Sequence, residues 1–140
     1  VEEVPLNIGG YKYDKYTNTY PVFINYDKSE EVSASIRYED RFVDQSRLIA
    51  ISKSQRTIAS DDVDNAIHAE ERHILMPLFV RKNKDDKTSK EFYFLGTIKH
   101  NGHLQEFIMP DTDKSAVEIG YHLNTPVENN LYEYITERTI

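Results

Sequence analysis

Cysteine and tryptophan are both missing from this chain of 140 residues. The absence of cysteine removes disulfide frameworks, thiolate metal sites and cysteine nucleophiles together, and it fits a reducing compartment. Glycine occurs only five times, and no Gly-rich phosphate loop is among its placements: Ile8-Gly9-Gly10-Tyr11 is too sparse and precedes no predicted helix. No apolar run approaches the roughly 20 residues that span a bilayer, and no charged-then-apolar leader opens the sequence. The expectation is a cytoplasmic protein without membrane contact. Internal repeats and low-complexity segments are absent as well.

What is there has the composition of one globular domain, 39% hydrophobic and 29% charged, long enough for a single core. The chain starts at Val1 without an initiator Met, which reads as a domain cut from a longer polypeptide. Its net charge of −7 opposes indiscriminate binding to a polyanion. The charge is uneven, however. Asp61, Asp62, Asp64, Glu70 and Glu71 crowd one stretch, whereas Arg41, Arg47, Lys53 and Arg56 face only Asp44 in another. Residues 81 to 90 carry Arg81, Lys82, Lys84, Lys87 and Lys90 against Asp85 and Asp86. A basic face on an acidic body favours selective over promiscuous contact.

Strands are predicted at Tyr20 to Tyr26, from aromatic and β-branched content, and at Val32 to Tyr38, from strict alternation. Further strands are predicted at Arg47 to Ser52, Ile74 to Val80, Phe92 to Ile98, His103 to Met109, and Val117 to Leu123. Asn101-Gly102 predicts a tight turn joining Phe92–Lys99 and His103–Met109 into a hairpin. Ser60 as N-cap, followed by Asp61 and Asp62 and by Val63, Ala66 and Ile67 at helical spacing, predicts a helix to about Glu71. A short terminal helix is predicted over Glu128 to Ile135. The fold class is α+β, mainly β, with a curved sheet or barrel and one or two helices.

Catalytic chemistry finds little support. His100 and His103 lie close together, but they flank the predicted turn and lack a third ligand at metal spacing, so no metal or other cofactor is expected. Ser52 and Ser54 flank Lys53 without a nucleophile elbow. The acids fall in a helix, a loop and a tail rather than in a nuclease cluster, and the domain alone is not expected to be an enzyme.

Aromatics offer more, with ten tyrosines. Tyr11, Tyr13, Tyr16 and Tyr20 crowd the first strands, and stacked bases are worth about 1–3 kcal/mol each; tyrosine also simply suits β-sheets. In an extended segment Tyr38, Asp40 and Phe42 project from one face, where two rings sandwich a base and a carboxylate accepts from an exocyclic amine such as that of cytosine. The pattern fits equally a turn-capping Asp40 with Tyr38 and Phe42 in the core. Behind this trio, Ser52, Lys53, Ser54 and Arg56, with Arg41, supply hydroxyls and cations suited to a phosphate backbone.

Several of these stretches carry a resemblance: Tyr20-Pro21-Val22-Phe23-Ile24-Asn25-Tyr26, Ser35-Ile36-Arg37-Tyr38-Glu39-Asp40-Arg41-Phe42, Ile51-Ser52-Lys53-Ser54-Gln55-Arg56-Thr57, Pro77-Leu78-Phe79-Val80 and Phe92-Tyr93-Phe94-Leu95-Gly96. Together they resemble the C-terminal domain of unknown function in bacterial DEAD/DEAH-box helicase-like proteins, including SauUSI-like type IV restriction enzymes. The resemblance covers about Tyr11 to Tyr134. It implies an SRA/PUA-like fold at the C-terminus of a larger helicase and nuclease chain. The implied role is recognition of double-stranded DNA containing 5-methylcytosine or 5-hydroxymethylcytosine by base flipping, with Tyr38, Asp40 and Phe42 as base pocket and Arg41, Ser52, Lys53, Ser54 and Arg56 on phosphates. One departure is Leu48-Ile49-Ala50-Ile51, where relatives often carry Trp before the Ser-Lys-Ser run. The competing expectation is a docking module for the motor, using the acidic helix Ser60 to Glu71 and the acidic tail.

Overall fold

The computed structural model describes residues 10–25, 40–81, 92–110 and 112–136. They form β1 (Gly10–Tyr11), β2 (Val22–Asn25), β3 (Arg41–Asp44), β4 (Arg47–Ile51), α1 (Asp61–Ile67), β5 (Pro77–Arg81), β6 (Tyr93–Ile108), β7 (Ser115–Leu123) and α2 (Asn129–Thr136). The seven strands make one mixed sheet in the order β1-β2-β5-β6-β7-β4-β3. All neighbours are antiparallel except β2 and β5, which run parallel. This is the expected mainly-β class with two helices. Among the described residues β1 and β3 are the edges, and no ladder joins them into a barrel. The predicted strand Val32 to Tyr38 and the loop Lys82 to Lys90 lie outside the described residues.

Alternation places the strands. Val117, Ile119, Tyr121 and Leu123 of β7 are all buried, while Glu118 and His122 point the other way. Val22 and Ile24 of β2 and Leu78 and Val80 of β5 join them in one core cluster with Leu48 of β4. Two halves of the sheet therefore wrap a single core. Helix α1 turns Val63 and Ala66 into that core, and α2 adds the fully buried Ile135. Helix α1 is shorter than predicted, ending at Ile67. Ser60 does occupy the N-cap position but makes no side-chain cap bond; its hydroxyl accepts the Thr57 N–H at 2.9 Å. Glu128 caps α2, its carboxylate accepting the N–H groups of Asn130 and Leu131.

The predicted hairpin at Asn101-Gly102 is not formed. Instead β6 is one strand of 16 residues running through that dipeptide. Its first part pairs with β5 and its second with β7, so β6 joins the two halves. His100 pairs with Tyr121 and Leu104 with Ile119, which leaves Asn101, Gly102 and His103 opposite Gly120 alone. The positive φ that Asn-Gly supplies to a turn serves a bulge here, with Gly102 at φ +99°. Gly120 makes room for it: a Cβ there would lie 2.7 Å from the Cβ of His103. Gly120→Ala is expected to cost about 1–3 kcal/mol by overpacking, read as a lower midpoint in urea or thermal unfolding.

Candidate functional site

The loop leaving β4 carries four of the five residues predicted to contact phosphate, and the structure divides them. Ser52 is buried. Its Oγ accepts the Val117 N–H at 2.8 Å and donates to the Lys53 carbonyl at 3.0 Å, while its own N–H donates to the Val117 carbonyl at 2.9 Å. The hydroxyl thus prolongs the β4–β7 ladder and is turned away from any phosphate rim. Lys53 and Ser54 are exposed. Arg56 is drawn to α1, its Nε donating to Asp62 Oδ2 at 2.8 Å. Arg41 belongs to another cluster, donating from Nη2 to Glu118 Oε1 at 2.8 Å, with His103 Nε2 at 2.8 Å from the second oxygen of Glu118.

Lys53 and Arg56 meet around Tyr11. The Tyr11 hydroxyl donates to Asp62 Oδ2 at 2.5 Å and accepts the backbone N–H of Lys53 at 3.0 Å. One face of its ring stacks on Tyr20, with centroids 5.4 Å apart and planes 13° from parallel. The Lys53 ammonium sits over the Tyr11 ring, 4.8 Å from its centroid. Tyr20 is itself pinned, its hydroxyl donating to the Asp62 carbonyl at 3.0 Å. Asp62 therefore holds two tyrosines and an arginine, and it does so from the first turn of α1.

Electrostatics follow from that packing. Burial, then the bond to Asp62, pushes the Tyr11 hydroxyl well above the ordinary tyrosine range, so it stays a donor. Burial alone would raise the Asp62 carboxyl, but the hydrogen bonds from Tyr11 and Arg56 outweigh it and hold the group below its usual range. A carboxylate depressed by folding contributes stability that is present above its unfolded value and is lost as pH falls through its folded value. Asp62→Asn is therefore expected to flatten part of the acid limb of the stability curve below about pH 4, measured by urea unfolding across that range. An unchanged acid limb would contradict the assigned role of Asp62. Beside the cluster lies an open, polar hollow of about 530 Å³ lined by Gln55, Arg56, Ala59, Ser60, Asp61 and Asp62.

The predicted base pocket is not assembled among the described residues. Tyr38 lies outside them. Asp40 is partly buried and its Oδ1 accepts the Ile51 N–H at 2.7 Å, so the carboxylate ties the entry of β3 to the end of β4. Phe42 lies in the core, 8% exposed, with its ring edge-on to Tyr132 of α2 at 5.7 Å. Of the two alternatives for Phe42, the structure takes the core.

The profile of a family described as a domain of unknown function (DUF3427) matches residues 1–135, nearly the whole chain. The chain belongs to the DUF3427 family. A search among curated proteins returns no match. Among solved structures, this DUF3427 domain is similar to the SUVH5 SRA domain, determined in complex with methylated CHH DNA. The TM-score is 0.53 and the identity 12%, over 86% of this chain and 77% of that one. The DUF3427 domain thus has an SRA-like fold.

Asp62 and its bond to Tyr11 have no local signature in the sequence of this DUF3427 domain, where Tyr11 and Tyr20 are legible only as aromatics. The two partners are 51 positions apart, and Asp62 reads locally as one more first-turn acid of α1. Three of the histidines, His68, His100 and His103, have protein partners. His100 Nδ1 lies 2.9 Å from the Gly120 carbonyl, and His68 lies near Asp64 and Glu71. Among the described residues no three metal-ligating side chains converge, and no helix is long and apolar enough to cross a membrane.

Proposed function

We propose that this chain is a DNA-recognition domain that reads 5-methylcytosine or 5-hydroxymethylcytosine in a flipped-out nucleotide. In this reading it serves the helicase and nuclease domains of a type IV restriction enzyme and catalyses nothing itself. The observation that carries the reading is the SRA-like fold over 86% of the chain, shared with a domain that was solved on methylated DNA. Tyr11 supports it, being a ring fixed by Tyr20 and at its hydroxyl by Asp62, which with Arg56 lines an open hollow. A flipped base stacks on the outer face of Tyr11, the hollow admits the nucleotide, and Lys53 with its neighbour Ser54 meets phosphate. Stacking and hydrogen bonds to the base edge offset the few kcal/mol lost on flipping. Burying one methyl adds about 0.8 kcal/mol, so marked discrimination also requires a penalty on the unmodified base.

A titration of the chain against matched duplexes carrying one cytosine, 5-methylcytosine or 5-hydroxymethylcytosine tests this. Preference for a modified duplex is the expected result, and equal affinity for all three sinks the reading. The second reading is a protein-docking module of a helicase. It is favoured by the internal neutralisation of Arg41 by Glu118 and of Arg56 by Asp62, which withdraws cations from a phosphate rim. It predicts no retention of any duplex at physiological salt.

A further inference from the structure

We infer that the Lys53 side chain is a displaceable cover of the Tyr11 ring, coupling phosphate contact to exposure of a stacking face; this rests on the DNA-reading function proposed above. The ring itself cannot readily move. Its hydroxyl is bound by Asp62 at 2.5 Å and by the Lys53 backbone N–H at 3.0 Å, and its inner face lies on Tyr20 at 5.4 Å. Tyr20 is almost fully buried, 2% exposed. What can move is the exposed Lys53 side chain, whose ammonium stands 4.8 Å from the ring centroid.

Residue 53 thus has two separable roles. Its backbone helps fix the ring, and its ammonium stands over the ring, in the way of an arriving base. An exposed cation–π contact is weak, and a phosphate oxygen competes for the same ammonium with a full opposite charge. When a DNA backbone reaches the loop, the ammonium turns to the phosphate and the ring is uncovered beside the arriving nucleotide. A base without a phosphate must instead displace the lysine unaided. The cover therefore discriminates against free bases and nucleosides in favour of nucleic-acid strands.

Two measurements test this. In the NMR spectrum of the free chain, the Lys53 ε-methylene protons are expected upfield from the ring current of Tyr11. They should return toward ordinary lysine positions when a duplex with one 5-methylcytosine is added. Lys53→Ala is expected to strengthen binding of the nucleoside 5-methyl-2′-deoxycytidine roughly two- to fivefold, the equivalent of one exposed cation–π contact. The same change should weaken duplex binding and lower its salt slope by about one. Lys53→Arg, which keeps the cation over the ring, should leave nucleoside binding unimproved. Lys53 resonances that stay shifted in the complex overturn the inference, as does a Lys53→Ala chain that loses affinity for nucleoside and duplex alike. If the wild-type chain still prefers the methylated duplex, only the cover is refuted. If it binds the three duplexes equally, the DNA-reading function fails and the cover with it.

Discussion

Phe42→Ala is expected to lower the free energy of unfolding by about 3–5 kcal/mol, the usual cost of truncating a buried phenylalanine. The ring is 8% exposed and packs edge-on against Tyr132, so its loss opens a cavity between β3 and α2. Such a loss is a large fraction of the stability of a domain this size. Phe42→Leu should retain most of it, since much of the volume stays filled. The distinguishing readout is binding: at temperatures where the Phe42→Leu chain is folded, its preference among cytosine, 5-methylcytosine and 5-hydroxymethylcytosine duplexes should match the wild type. A stable Phe42→Leu chain that had lost the preference would return Phe42 to the base pocket and contradict its place in the core. Urea unfolding and duplex titration on the same preparations decide the matter.

Tyr11→Leu is expected to weaken binding to the methylated duplex by roughly 5- to 150-fold, the loss of one base stack worth about 1–3 kcal/mol. Tyr11→Phe keeps the ring over Tyr20 and removes only the hydroxyl that joins Asp62 to the Lys53 backbone. It should therefore bind DNA much more nearly like the wild type while losing stability, because Asp62 loses a donor and the Lys53 N–H loses an acceptor. The pair of variants separates stacking from anchoring. Equal losses of affinity in both would show that the hydroxyl, not the ring face, does the work. Urea unfolding of both chains supplies the correction for any fraction unfolded under the binding conditions.

The parts of the fold legible in the sequence are those governed by local periodicity. Strand β7 shows its buried face in the alternation of Val117, Ile119, Tyr121 and Leu123, and α1 shows its own in Val63 and Ala66. The bulge in β6 is not legible as such, because Asn-Gly reports a need for positive φ and not what the chain does next. The partner that keeps the strand going, Gly120, is distant in sequence. Alternation likewise assigns Tyr38, Asp40 and Phe42 to one side of a strand without saying whether that side faces the core; for Phe42 the answer came from Tyr132. Ser52 looked like a phosphate ligand for its neighbours' sake, yet its hydroxyl bonds to β7. The SRA-like fold was accessible through linked stretches of residues, whereas the Tyr11–Asp62–Arg56 cluster was not. It depends on where α1 docks, and no short spacing encodes that.

The parallel pairing of β2 with β5 bears on how the chain folds. Strand β2 can pair with β1 at once but cannot find its parallel neighbour until β5 exists, because Val22 pairs with Leu78 and Ile24 with Val80, and β3, β4 and α1 all come between. Closing that interval costs chain entropy before any apolar contact repays it, and topologies of this kind fold in milliseconds to seconds rather than microseconds. Val22 and Ile24 precede β5 in the chain and lack their parallel partner strand until it is made. A fragment ending after α1 is therefore expected to leave Val22 and Ile24 without β5 and to aggregate more readily than the whole chain.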